Sequence, residues 1–289
     1  MGSSPSRWAT GPDAAPPSLT TGSAPPAPLR DVTRSGTVTG APASVVDDTS
    51  QTSGALSWLQ VDLPSKKESA SFYTLTSGKA AGDPTSWVLK GSYDGTNWTT
   101  VDERSGEAFA WRQQTRAFKI ARPGRYQHYR LEFPGSVTVA EFELLAKPFV
   151  TCTASVTGEH AGPLRVESGV TCLDGASVTG PVTVAAGASL YVFGGKVEGP
   201  VNATGAAAVV LVETSVGGPV NVTGTTGQVS LERVSVGGPV RLVDNKGGTV
   251  VAGNTVGGPL SCTGSTPAPV NNGWVNSASG PKTGQCAKL

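Results

Sequence analysis

The sequence has little net charge, because its 22 lysine and arginine residues are balanced by 21 aspartate and glutamate residues. This balance argues against nucleic acid or an anionic membrane surface as a partner, since both attract a basic patch. No apolar run approaches the eighteen residues that a transmembrane helix needs, so we expect no membrane insertion. The N-terminus also lacks the basic segment and apolar core of a signal peptide.

Histidine and methionine are scarce as well. The two histidines, His128 and His160, cannot supply a Ser-His-Asp catalytic set or a histidine metal site that we could defend, and we interpret His128 as a residue on the face of a strand. A single methionine beside 38 glycines and 22 prolines leaves little material for helices. The excess of valine and threonine favours strands, so the chain is predicted to be all-β, with a length that suits about two domains.

The stretch from Ser86 to Phe133 has the clearest strand pattern. Apolar and polar residues alternate from Trp87 to Tyr93, and the alternation resumes from Trp98 to Asp102. Between them, Asp94-Gly95 tolerates the positive φ angles of a tight turn, so this segment is predicted to be a β-hairpin.

A second pair of strands is predicted downstream, at Phe118–Ile120 and Tyr126–Phe133, separated by Arg122-Pro123-Gly124. Upstream, the residues from Trp58 to Leu63 alternate in the same way and end at a proline and a charged turn at Lys66-Lys67. Another strand candidate follows at residues 72–76. This part of the chain is therefore expected to be an antiparallel β domain.

Two motifs in this region carry a resemblance. The order W-V-L-K-G-S-Y-D-G-T-N-W, followed by R-Y-Q-H-Y-R-L-E-F, resembles the discoidin or coagulation factor 5/8 type C module over about residues 35 to 146. The resemblance implies an eight-stranded jelly-roll sandwich whose loops at one end hold a sugar. It therefore implies a glycan partner, which the strand periodicity alone does not.

The same resemblance implies a structural calcium ion. The segment from Val45 to Ser50 occupies the place of the family's D-x-D/N-x-x-T loop, which holds calcium together with a glutamate near the C-terminal strand. The matching residues here are Asp47, Asp48 and Glu141. Calcium takes six to eight oxygen ligands. The alternative interpretation is a solvated turn beside a glutamate on an edge strand.

A sugar site requires an exposed aromatic ring that stacks on a pyranose face. Trp87 and Trp98 lie within strand patterns, so we assign both to the core. Trp111 lies in the polar stretch AFAWRQQTR between the predicted strand pairs, and we choose it as the platform. The alternative is that its ring is tucked over the end of the sandwich.

Polar groups for the sugar hydroxyls are expected beside this ring. We select Arg112 and Gln113 as hydrogen-bond donors because they follow Trp111 directly. Asn97 and Tyr126 are secondary candidates.

Residues 1–30 are rich in proline, serine, glycine and alanine, so a disordered linker is one interpretation. The segment from Ser6 to Ser18, SRWATGPDAAPPS, also resembles the end of the catalytic domain of glycoside hydrolase family 92 α-mannosidases. Those enzymes are calcium-dependent and inverting, with catalytic carboxylates that this resemblance places far upstream. An inverting pair needs an acid and a base on opposite sides of the sugar, so we expect no hydrolase activity from this polypeptide alone.

After residues 31–149, which we assign to the sandwich, residues 150–289 form a repeat domain with a C-terminal cap. Gly-Pro recurs at 162, 180, 199, 218, 238, 258 and 280, with central spacings of 19, 19, 20 and 20. A fixed short period is typical of stacked repeats. We predict a parallel β-helix of five to seven coils from residue 151 to about 275, rather than a low-complexity linker. One inward column is then expected to contain Val182, Val201, Val220, Val240 and Leu260.

The four cysteines lie in or beside these repeats. Cys152 and Cys172 are 20 residues apart, and Cys262 and Cys286 are 24 apart. Coils stack at about 4.8 Å, and disulfides need Cα atoms about 4.4 to 6.8 Å apart. We interpret the four as two disulfides, with four reduced buried thiols as the alternative. Disulfides imply a secreted, extracellular protein. Without an export signal, this suggests a piece of a longer chain.

Three functions are consistent with these features. The first is a non-catalytic carbohydrate-binding accessory region of a secreted α-mannosidase-like glycoside hydrolase. The second is a fragment of such an enzyme whose catalysis resides in an upstream domain. The third is a structural or adhesive surface protein. We expect a monomer.

Overall fold

The computed structural model describes residues 29–64, 68–146 and 150–289. These residues contain strands and two 3₁₀ turns, Thr33–Ser35 and Ala43–Val45, but no α-helix, so the all-β prediction is confirmed. None of the described residues forms a helix with the length and apolar character that a membrane crossing requires. The Ser6–Ser18 segment, the rest of the predicted linker before residue 29 and the turn at Lys66-Lys67 lie outside the described residues.

The first eight strands form a β-sandwich. They are β1 (Arg30–Asp31), β2 (Thr37–Thr39), β3 (Gly54–Asp62), β4 (Ala70–Ser77), β5 (Trp87–Ser92), β6 (Thr99–Arg104), β7 (Thr115–Lys119) and β8 (His128–Ala146). All of their pairings are antiparallel.

The long strand β8 joins the layers of the sandwich. Its residues 128–132 pair with β3 and with β5, whereas residues 139–146 pair with β4. At both ends of β8, every second side chain points into the sandwich. These side chains pack in one core with Tyr73 and Trp87, which are both at most 1% exposed. The predicted hairpin is present as β5 and β6, with Gly95 at φ +73° in the connection.

The prediction that the strand at Phe118–Ile120 pairs with the strand at Tyr126–Phe133 is wrong. Strand β7 lies beside β4 and not beside β8. Phe118 of β7 lies opposite Tyr73 of β4, and the two rings stack with their centroids 5.3 Å apart. Aromatic packing between distant segments therefore selects the partner, although Arg122-Pro123-Gly124 is a suitable turn sequence.

The remaining strands differ from those of the sandwich, because all of their pairings are parallel and they lie in three sheets, to which successive coils add short strands. Two of these sheets have seven strands and the third has six. The strands are β9 (Ala154–Val156), β10 (Glu159–His160), β11 (Leu164–Val166), β12 (Val170–Asp174), β13 (Ser177–Val178), β14 (Val182–Val184), β15 (Ser189–Phe193), β16 (Lys196–Val197), β17 (Val201–Thr204), β18 (Ala208–Val212), β19 (Ser215–Val216), β20 (Val220–Thr223), β21 (Val229–Glu232), β22 (Ser235–Val236), β23 (Val240–Val243), β24 (Thr249–Ala252), β25 (Thr255–Val256), β26 (Leu260–Thr263), β27 (Ser277–Ala278) and β28 (Lys282–Gly284).

This β-helix confirms the prediction from the repeat. The expected column lies in register from coil to coil, and each member is at most 1% exposed: Val182, Val201, Val220, Val240 and Leu260. The Gly-Pro corners also stack. A Cβ atom added to Gly180 would lie 2.4 Å from the carbonyl carbon of Gly162, so the close approach of successive coils requires glycine there.

Two disulfides link positions in this domain. Cys152 joins Cys172 with Cα atoms 5.8 Å apart, and Cys262 joins Cys286 with Cα atoms 5.1 Å apart. These are the pairs expected from the cysteine spacing. The second bridge ties the end of the chain to β26.

The sandwich docks on the outer face of the sheet that contains β15, β18 and β21. Val210 and Val212 point out of the β-helix, yet each is at most 1% exposed. Glu232, in register with Val212, accepts a hydrogen bond of 2.6 Å from the hydroxyl of Tyr93. The guanidinium of Arg125 lies 6.0 Å from the ring of Phe193. The two domains therefore form one packed body.

Candidate functional site

The loops at the end of the sandwich remote from the β-helix form the candidate site. Strand β4 starts near the docked end, where Ser69 donates a hydrogen bond to the carbonyl oxygen of Gly124. Its other end, at Ser77, contacts the turn that holds Trp111. An eight-residue strand spans about 25 Å, so this turn points away from the β-helix.

Trp111 is the most exposed tryptophan among the described residues, at 63%. Its ring lies in solvent rather than over the end of the sandwich. Its backbone is held, because the hydroxyl of Ser77 donates a 3.1 Å hydrogen bond to the Trp111 carbonyl oxygen. An indole that is exposed on a fixed backbone can stack on a flat apolar ligand surface.

Among the described residues of the sandwich, the other three tryptophans offer no comparable ring face. Trp87 is buried, as expected. The prediction for Trp98 is wrong, because its half-buried ring lies on the outer face of the sandwich, where Arg130 stacks on it at 4.4 Å. Trp58 is 39% exposed, but Arg130 lies 5.5 Å from its ring and Gly40 lies against the ring. The sequence could not show this, since Trp98 continues a strand pattern.

Both predicted donors beside Trp111 contact the protein. The guanidinium of Arg112 donates hydrogen bonds to Asp83 (Oδ1, 2.7 Å) and to the carbonyl oxygen of Ala80 (2.8 Å). The side-chain amide of Gln113 donates to the carbonyl oxygen of Ser50. An arginine has five N–H donors and a glutamine amide has two, so both side chains keep hydrogen-bonding capacity for a ligand.

Two residues that the sequence analysis did not select complete the turn. The hydroxyl of Ser77 accepts a 3.0 Å hydrogen bond from the amide of Gln114. The side-chain oxygen of Gln114 accepts a 2.6 Å hydrogen bond from the amide of Ala110. The run of polar residues after Trp111 is the only sequence signal for these contacts, and it does not reveal their partners.

The two secondary candidates do not join this site. Tyr126 is 0% exposed, and its ring packs 4.8 Å from Tyr93 and 5.8 Å from Tyr129, so the prediction that it contacts a sugar is wrong. Asn97 lies in the β5–β6 connection and donates a 2.8 Å hydrogen bond to Asp94. Hydrogen bonds from Asn97 and Thr96 hold the pKa of Asp94 well below its usual range. The connection ends at Thr99, whose hydroxyl donates a 3.2 Å hydrogen bond to the carbonyl oxygen of Asn272 in the repeat domain, so it lies at the docked end of the sandwich.

Asp47 and Glu141 meet beneath the candidate site. The amide nitrogen of Thr49 lies 3.3 Å from Asp47 Oδ1 and 3.2 Å from Glu141 Oε2. The hydroxyl of Thr52 donates to Asp47 Oδ2 at 2.7 Å and to the carbonyl oxygen of Ser44 at 3.3 Å. Burial raises the pKa of Glu141 to about 7; the Thr49 hydrogen bond opposes this, and the negative charge of Asp47 adds to it.

Asp48 does not join them, so the predicted three-residue set is wrong as a unit. Asp48 has φ +59°, which turns its side chain away from Asp47, and it pairs with Arg34. Carboxylate oxygens of Asp48, Asp31 and Glu143 lie within 4.8 Å of one another. Adjacent residues at a left-handed corner point apart, and the spacing of acidic residues in the sequence does not show such a corner.

This part of the chain is an antiparallel sandwich that presents an exposed aromatic ring on a held backbone among its end loops. Residues 31–140 match the family model of the F5/8 type C domain, and this part of the chain is an F5/8 type C domain. No curated protein matches the chain.

The solved structures that the chain is similar to each match about two fifths of it. The F5/8 type C domain of a Bacteroides fragilis protein is 17% identical, with 42% of this chain and 98% of that chain covered and a TM-score of 0.36. A family 32 carbohydrate-binding module of Clostridium perfringens, in complex with GalNAc-β-1,3-galactose, is 14% identical (40% and 99% covered, TM-score 0.32). The family 32 module of NanJ from Clostridium perfringens, in complex with galactose, is 13% identical (40% and 98% covered, TM-score 0.32).

Proposed function

We propose that this chain is a glycan-binding accessory region in which Trp111 stacks on a sugar ring. The observation that carries the proposal is the 63% exposure of a ring whose backbone is held by Ser77. Arg112 and Gln113 supply polar contacts to the sugar hydroxyls. The β-helix is a stiff spacer that leaves this end of the sandwich open to a glycan.

We further propose that the region belongs to a secreted α-mannosidase-like glycoside hydrolase, with catalysis in an upstream domain. The resemblance of Ser6–Ser18 to the end of a family 92 catalytic domain supports this parent. The two disulfides fit an extracellular protein. An in-frame catalytic domain and signal peptide in the genomic sequence upstream of Met1 is the expected finding, and an upstream stop codon would contradict it.

The Trp111→Ala variant tests the glycan site. We expect its affinity for the glycans that the wild-type chain selects on a glycan array to fall about 30-fold or more, because a central aromatic contact contributes about 2 kcal/mol or more. The Trp58→Ala variant is the matched control, since it removes an indole from another face and should keep the glycan selection.

Thermal unfolding of each variant shows that it is folded. A Trp111→Ala chain that binds as tightly as the wild type would rule out this platform. If the wild-type chain selects no glycan on the array, the glycan-binding function is excluded and the structural or adhesive function is favoured.

We propose that the Asp47 loop holds a structural calcium ion. The donors there are all oxygens, as calcium prefers: the carboxylates of Asp47 and Glu141, the hydroxyl of Thr52 and the carbonyl of Ser44. These residues fit the ion, with water completing the coordination. Bound calcium would neutralise two carboxylates that now share the amide of Thr49.

Calcium addition is expected to raise the melting temperature of the chain. A ligand at 100 times its dissociation constant stabilises the folded state by about 2.7 kcal/mol, and chelation should reverse the shift. Glu141→Gln should remove most of the shift, whereas Glu143→Gln, two residues along the same strand, should keep it. If calcium raised the melting temperature of Glu141→Gln and Glu143→Gln equally, the ion would not bind at Glu141.

A further inference from the structure

The turn that carries Trp111 is tied to three separate segments. Arg112 connects it to the loop after β4 through Asp83, and Ser77 connects it to β4 itself. The third connection is the hydrogen bond from the Gln113 side chain to the carbonyl oxygen of Ser50. Ser50 lies 63 residues away along the chain, so this bond joins the turn to the Asp47 loop.

Gln113 also has an unusual backbone. Its φ is +59°, in the left-handed region that residues other than glycine enter at a cost of about 1 kcal/mol or more. The adjacent hydrogen bonds must hold it there. Gln113 reverses the direction of the chain two positions after Trp111, and its side-chain hydrogen bond helps to maintain this backbone conformation.

The segment that receives this hydrogen bond is organised by the proposed calcium ligands. Asp47 accepts from Thr49 and Thr52, which lie on either side of Ser50, and Glu141 accepts from Thr49. The position of the Ser50 carbonyl oxygen therefore depends on which groups the carboxylates of Asp47 and Glu141 bind. A short chain of contacts leads from Glu141 through Thr49 and Ser50 to Gln113.

We infer that Gln113 is a positioning residue that couples the Asp47 loop to the Trp111 platform. Calcium bound to Asp47 and Glu141 fixes the position of the Ser50 carbonyl oxygen. The hydrogen bond from the Gln113 side-chain amide to this oxygen then restricts the motion of the turn that carries Trp111. Because coupling between two sites is reciprocal, a glycan on Trp111 also tightens calcium binding. The glycan part of this inference rests on the proposed function, whereas the coupling of calcium to Trp111 does not.

Fluorescence quenching by acrylamide tests the coupling without a glycan. The contribution of Trp111 is the difference between each chain and its Trp111→Phe counterpart. We expect calcium to change the quenching of Trp111 in the wild-type chain and to leave it unchanged in Gln113→Ala. Calcium should still raise the melting temperature of Gln113→Ala, because Gln113 is not itself a calcium ligand.

Gln51→Ala is the matched control. Gln51 is exposed in the same loop, and its removal should keep the response of Trp111 to calcium. For glycans that the wild type selects, calcium should strengthen binding about fivefold or more in the wild type and in Gln51→Ala, and by less than about twofold in Gln113→Ala.

Three results would overturn the inference. The wild-type chain would bind no calcium, calcium would leave the quenching of Trp111 in the wild type unchanged, or Gln113→Ala would keep the full quenching response to calcium. A chain that selects no glycan but loses the quenching response in Gln113→Ala would refute the glycan function and support the coupling.

Discussion

Replacement of Glu232 by alanine is expected to destabilise the chain by about 3 to 5 kcal/mol, the range for breaking a buried charged pair. Glu232 is 1% exposed at the junction of the two domains. Its Oε2 accepts hydrogen bonds from the Tyr93 hydroxyl at 2.6 Å and from the Arg125 amide at 3.2 Å, and its Oε1 lies 3.8 Å from Arg125 Nε. Alanine would leave these buried donors without this acceptor.

The same substitution should also separate the unfolding of the two domains. Burial raises the pKa of the Tyr93 hydroxyl, and the charge of Glu232 adds to this effect, which reflects how completely water is excluded from the junction. Urea unfolding followed by tryptophan fluorescence and by circular dichroism should give coincident transitions for the wild type and distinct ones for Glu232→Ala.

Glu198→Ala is the control for this experiment. Glu198 forms an exposed ion pair with Lys196 at 2.9 Å on the β-helix. Exposed pairs contribute at most about 1 kcal/mol, so this variant should unfold like the wild type. If Glu232→Ala lost no more stability than Glu198→Ala, the junction would not be a stabilising interface.

The Gly218→Ala variant is expected to lose about 3 kcal/mol, at the upper end of the range for overpacking. A Cβ atom at this position would lie 2.6 Å from the backbone nitrogen of Pro200 and 2.9 Å from the carbonyl carbon of Gly199. Both atoms belong to the backbone of the preceding coil, so no side chain can move aside. The coils would have to separate, which weakens the parallel pairing on each side.

Gly135→Ala provides the comparison. A Cβ atom there meets nothing within 4 Å, so the substitution should be neutral or should stabilise the chain slightly by restricting the unfolded state. Denaturant midpoints for both variants measure the difference. Equal midpoints would show that the coils tolerate a methyl group at the Gly-Pro corner.

The repeat domain was predictable because its information is local. Each coil repeats a short frame, and the residue after each Gly-Pro lies beside its counterpart one coil away, as Val201 and Val220 do. The position of Trp111 was predictable in the same sense, since a polar run beside an aromatic residue favours an exposed loop. Both inferences need only neighbouring residues and one period.

The run at residues 208–212, AVVLV, shows where local information ends. Val209 and Leu211 point into the β-helix, as alternation predicts, but Val210 and Val212 are buried as well. Burial on both faces requires a second body, and nothing in the repeat identifies the sandwich as that body. The sequence does not show that Tyr126, a secondary candidate for the sugar site, is buried, because its partners Tyr93 and Tyr129 lie elsewhere in the chain.

The order of the residues is enough to predict the all-β class, the period and inward columns of the β-helix, the cysteine pairs and the exposed loop that carries Trp111. Each of these follows from alternation, spacing or repetition along the chain. The folded chain was needed to show that β7 pairs with β4, that Asp48 turns away from Asp47 and Glu141, that Gln113 donates to Ser50, and that Glu232 accepts from Tyr93. These outcomes depend on contacts between segments far apart in the sequence, where the partner is selected by packing and by hydrogen bonding.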